Sequence, residues 1–195
     1  MGLTLTTAHA ERVVTVEQAK QHVRVDSDDD DRYIDSLILA ATRLAESETR
    51  HSFLDTTWTY KLDGFLDPDT GRSDPIRLPR RPVDSITSIT YVDGAGATQT
   101  LAASVYSILT DVEPPGLILR VDQSWPATRA QYEAVTIVFV AGYGDPADVP
   151  DPIKQAVLMT VADWYRGRET TTAANMREVP TGASRILNGY TGALI

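Results

Sequence analysis

The 195-residue sequence has no cysteine, which excludes disulfides, thiolate nucleophiles and cysteine-type zinc sites together and suits a reducing compartment. No apolar run approaches the roughly 20 residues of a membrane span, and the start lacks the apolar core of a signal peptide. A soluble protein made in the cytoplasm, with no membrane partner, is therefore expected. The three histidines, His9, His22 and His51, are scattered and form no HExxH-like cluster. A G-x-S-x-G elbow, a P-loop and a G-x-G-x-x-G turn are all missing, so the reading is non-enzymatic, with no catalytic residue, cofactor or metal expected. Basic residues are outnumbered, 18 Lys+Arg against 27 Asp+Glu, giving a formal net charge of −9 and a pI near 4.7. Such a chain lacks the broad basic surface that specific phosphate recognition requires.

What remains is an ordinary globular balance, 42% hydrophobic and 23% charged, enough for one domain or two small ones. The strongest pattern runs from Ser27 to His51, where Ile34, Leu37, Ile38, Ala41, Leu44 and Ala45 recur at helical spacing. Ser27 reads as the N-cap, and Asp28 to Asp31 fall in the first turn, where the helix dipole favours carboxylates. A helix from Asp28 to Arg50 would be roughly 35 Å long and needs partners along its length. Asp26, Asp28 and Asp30 alternate as in a calcium loop, but Asp31 stands where the turn needs glycine and Leu37 where a bidentate glutamate is needed.

Residues 1–12 show no period and read as a flexible arm. Thr15 and Gln18 form a capping-box pattern, followed by Val16, Ala19 and Val23 on one face of a short helix. After Phe53 the period becomes alternating: Trp58, Tyr60 and Leu62, then Ile76 and Leu78, Ile86, Ile89 and Tyr91, with a turn at Asp93-Gly94. Thr98–Leu101, Val105–Leu109, Leu117–Val121 and Val135–Val140 continue the series. Six or seven short strands divided by turn residues indicate a small antiparallel sandwich or barrel. Helical period returns at Asp151, read as N-cap, with Pro152 first in the helix; Ile153, Ala156, Val157, Thr160, Val161, Trp164 and Tyr165 share a stripe, and Gly167 ends it. Trp58 and Trp164 lie on apolar stripes and are expected in the core, whereas Trp125 either faces a partner or caps the β core.

The expected class is α+β: a helical bundle from residues 13–54 and 146–167, an inserted β sandwich or barrel at 55–145, the arm at 1–12, and a C-terminal tail at 168–195. A rival reading is a small ligand- or carbohydrate-binding β module with helical flanks. Its exposed aromatics would bind in the monomer, with little tendency to assemble.

The blocks "TVEQAKQHVRVDSDDDDRYIDSLILAATRLAESETR", "LPRRPVDSITSITYVDGAG", "SWP", "VTIVFVAGYG" and "VPDPIKQAVLMTVADWYRGRE", in that order, resemble the head–tail connector, or adaptor, proteins of long-tailed bacteriophages and gene transfer agents. The likeness is to the larger members, with a β insert, and it spans about Val14 to Glu169. It implies a structural virion protein of the neck, forming a ring of about twelve copies between the portal and the stopper or tail-completion protein. Double-stranded DNA would pass through the lumen without specific binding during genome packaging and delivery. In such a ring the outer helical charges Arg43, Glu46 and Arg50 are expected to meet a neighbouring copy. Ile186, Leu187, Tyr190, Leu194 and Ile195 are expected to anchor the tail on the portal, the tail being mobile in the free protein.

Overall fold

A computed structural model describes residues 2–110, 112–167 and 179–191. The chain divides into two compact units, one of Met1–Ala8 with Asp55–Gly142 and one of His9–Leu54 with Tyr143–Ile195.

The helical unit holds α1 (Val16–Val23), α2 (Asp31–Thr49), α3 (Asp151–Arg166) and α4 (Thr181–Asn188). Thr15 and Gln18 form the reciprocal capping box, satisfying two of the free donors at the start of α1. Ala19 is buried from α1, and Ile34, Leu37, Ile38, Ala41 and Ala45 from α2. They meet Ile153, Ala156, Val157, Val161 and Trp164 of α3, with Leu44 partly buried beside them. Pro150 takes the N-cap position of α3, one residue ahead of the expected Asp151, and Gly167 ends the helix.

Two further expectations fail here. The long helix begins at Asp31, not Asp28, with Asp30 rather than Ser27 at the N-cap position, and the carboxylates around its start have tertiary partners. Lys20 binds both Asp28 and Asp31, and Asp30 accepts the Tyr165 hydroxyl at 2.7 Å. The tail is the other: residues 181–188 form α4, whose Ala183 and Leu187 are buried among α2 and α3. Four apolar side chains at positions 183, 186, 187 and 190 make one helical stripe, too short to stand out in a threonine- and glycine-rich sequence. A Cβ at Gly182 would come within 2.5 Å of Met159 Cε, the mobile end of a flexible side chain.

The β unit contains β1 (Gly2–Thr7), β2 (Thr56–Leu62), β3 (Ile76–Arg77), β4 (Val83–Val92), β5 (Thr98–Thr100), β6 (Tyr106–Leu109), β7 (Gly116–Leu119) and β8 (Val135–Ala141). Two antiparallel sheets, ordered β1-β2-β8-β4-β5 and β3-β7-β6, share one apolar core. Tyr60, Leu62, Ile89, Val135, Ile137 and Phe139 of the larger sheet pack with Ile76, Tyr106 and Leu117 of the smaller. The strand β1 corrects the flexible arm: residues 2–7 pair with β2, from Gly2 opposite Lys61 to Thr7 opposite Thr57, with a register shift between Leu5 and Thr7. Its side chains alternate leucine with threonine too briefly to signal a strand, and its partner lies far along the chain.

The β4–β5 hairpin turns on Asp93, whose carboxylate accepts the N–H groups of Ala95 and Ala97 at 3.0 Å. Gly96 supplies the positive φ of 89° that this turn requires.

Candidate functional site

The two surfaces expected to bind partners are placed differently by the fold. Arg43 and Arg50 are exposed on the helical unit, Arg50 in the left-handed conformation just past the end of α2. Glu46 turns inward, its Oε1 accepting the Phe53 N–H at 2.7 Å. It holds the chain at its exit from α2. Of the tail residues, Leu187 is 1% exposed, while Ile186 and Tyr190 are half-buried against the same core. Leu187 therefore faces its own unit in this conformation. Leu194 and Ile195 lie outside the described residues.

Tyr190 takes part in an aromatic group that sequence reasoning missed. The buried His51 ring lies parallel to Tyr143 with centroids 5.9 Å apart and meets Tyr190 edge-on at 6.0 Å. The end of α2, the chain leaving the β unit and the end of α4 are thereby fastened together. These residues are distant in sequence, and no local period connects them.

Lys20 is the other hidden member. Its side chain is only 7% exposed, and its ammonium pairs with Asp28 and, at 2.9 Å, with Asp31. Hydrogen bonds donated by the ammonium to these two carboxylates raise the Lys20 pKa, and the contact with Asp28 lowers that of Asp28.

In the β unit, Trp125 caps the core: its ring stacks on Phe65 with centroids 4.9 Å apart, and its indole N–H donates to the Ser73 carbonyl at 2.6 Å. Trp58 is half-buried, with the Arg80 guanidinium 4.5 Å above its ring. Asp67 organises the loop between β2 and β3. Burial would push its carboxyl up, but N–H groups of Arg77, Thr70 and Asp69 and the Thr70 hydroxyl hold it below the usual carboxylate range. Burial, with the charges of Asp67 and Asp69, pushes the Tyr60 phenol up to about 12.

The pKa values of Lys20, Asp28, Asp67 and Tyr60 are all shifted away from neutrality. Among the described residues, no group of three or more His, Asp or Glu converges as metal donors, and no helix is long and apolar enough to cross a membrane. The features that remain open to a partner are edges: β1 and β5 bound the larger sheet, and Leu5, Leu66, Val121 and Tyr132 are the most exposed large side chains among the apolar and aromatic ones, Val121 at 88%.

The family model of phage gp6-like head-tail connector proteins matches residues 13–93, the helical start and the first strands of the β unit. No protein of curated function matches the chain by sequence. Among solved structures, a chain in the neck of an empty gene transfer agent particle, computed with C6 symmetry, is 22% identical with a TM-score of 0.81. A chain in the virion of a native gene transfer agent particle is 23% identical, with a TM-score of 0.80. A third, in the neck of the native particle computed with C12 symmetry, is 22% identical with a TM-score of 0.75. Each likeness covers 100% of this chain and 97% of the other. At this identity the shared property is the fold, which both units contribute to. The resemblance read from the sequence thus agrees with both comparisons: residues 13–93 match the head-tail connector family model, and the whole chain shares the fold of the gene transfer agent neck chain.

Proposed function

We propose that the protein is the adaptor subunit of a phage or gene transfer agent neck, a non-enzymatic structural component at the DNA-exit vertex. The observation that carries this reading is the whole-chain likeness to a neck chain, covering helical and β units alike. Twelve copies would form the ring, in keeping with a related neck computed with C12 symmetry. The portal would bind one side and the stopper or tail-completion protein the other, with the tail around Ile186, Tyr190, Leu194 and Ile195 offered to the portal. Leu187 would stay in its own core unless α4 moves. Arg43 and Arg50 would face a neighbouring copy. A net charge of −9 per copy suits a lumen through which DNA slides, because like charge discourages sticking.

Electron microscopy of particles from cells lacking this chain tests the reading. Filled heads without tails, restored by the full chain and showing its ring beneath the portal, are expected. Tailed, infective or transfer-competent particles without the chain would overturn it.

A further inference from the structure

The first strand is held in an unusual way. The strand β5 is tied to β4 by the tight Asp93–Ala97 turn, but β1 is separated from its partner β2 by the whole helical-unit stretch from His9 to Leu54. Among the described residues, the strand pairing and a few side-chain contacts bind β1 to the sheet. The strand buries little, since Leu3 is partly covered and Leu5 is 46% exposed. A side-chain contact, Thr6 Oγ1 to Thr59 Oγ1 at 2.6 Å, reinforces the backbone ladder. The connection leaving β1 is exposed at Ala8, Ala10 and Glu11, so it can redirect the strand without uncovering apolar surface.

The edge that β1 covers cannot stay bare. The strand β2 is seven residues long, with Tyr60 and Leu62 buried on its inner face, and an open edge of that length templates uncontrolled pairing. Any copy of the segment Gly2–Thr7 satisfies it equally well, because exchange between identical chains preserves every contact. The exchanged strand carries neither charge nor proline, the devices that protect edges from a second chain.

We propose that in the assembled ring β1 pairs with β2 of the adjacent copy, so that each subunit gives a strand to one neighbour and receives one from the other. The proposal rests on the ring reading above. Pairing within one chain adds nothing to assembly, whereas pairing between chains links every junction, at the high effective concentration that a ring provides. Donor strand and acceptor edge are different surfaces, as a closed head-to-tail ring requires.

The cysteine-free chain allows a direct test. Two full-length variants, Thr6→Cys and Thr59→Cys, are produced together in equal amounts in particle-forming cells in place of the natural chain. Their necks are then isolated, oxidised and digested, and the linked peptides identified by mass spectrometry. A disulfide joining position 6 of one chain to position 59 of another can form only between copies. It is expected at roughly a quarter of the junctions, the random share in a mixed ring. The double variant Thr6→Cys/Thr59→Cys should give covalent ladders from the same necks. Rings in which the double variant yields only internally linked monomers, and the mixture no linked pairs, would overturn strand exchange and leave the ring reading standing. If the natural chain forms no ring in such particles, the ring reading falls, and strand exchange with it.

Discussion

Single side chains in this protein mostly hold one segment against another. Asp28 is the clearest titrating case: the Lys20 ammonium holds its carboxyl below the ordinary value near 3.9. A folded-state pKa depressed below the unfolded one gives stability that is present above the unfolded value and lost as pH falls through the folded one. Asp28→Asn should accordingly unfold at lower urea than the natural chain at pH 7. The two midpoints should converge as the pH drops below about 4; a gap that stayed constant down to pH 2 would show that the pair makes no such contribution. Asp67 is buried, its two oxygens accepting from Asp69, Thr70 and Arg77 at 2.8–3.1 Å. Asp67→Ala leaves several donors without partners, and an equilibrium unfolding loss of about 3 kcal/mol is expected.

At the scale of elements, α4 sets the helical unit apart from a simple three-helix packing. Its Leu187 and Ala183 are buried and its Ile186 and Tyr190 partly so, apolar burial worth roughly 3 kcal/mol or more. A chain ending at Gly167 should thus melt about 5 °C or more below the full chain, as read by calorimetry or circular dichroism. An unchanged melting temperature would mean that α4 does not pack in solution. This outcome is the reverse of what a free tail predicts, and it separates stability from portal binding: Tyr190→Ala, at the periphery of the same contact, tests the latter with less damage to the core.

The described residues of the whole molecule form two cores, one in each unit, and the full chain carries a formal net charge of −9. Copies of so acidic a chain repel one another when brought into a ring, and salt screens that repulsion over a Debye length of about 10 Å at 0.1 M. Ring formation should therefore strengthen as salt rises from about 0.05 to 0.3 M, measured by sedimentation at fixed protein concentration. Weakening over that range would mean that specific ion pairs between copies, at positions such as Arg43 and Arg50, outweigh the net repulsion.

Local chemistry determined a great deal of this protein. The Thr15–Gln18 capping box, the stripe from Ile34 to Ala45, the alternation of Trp58, Tyr60 and Leu62 and the stop at Gly167 are all properties of neighbouring residues. Helix and strand periods report them directly, because each element buries one face. Tertiary structure alone decided the rest. Only folding brings residues 2–7 beside β2, Lys20 against Asp28 and Asp31, and His51 between Tyr143 and Tyr190. The same holds for α4: its apolar residues are too few for a lone helix to be stable, so their role appears only when α2 and α3 supply the surface that makes burying them favourable.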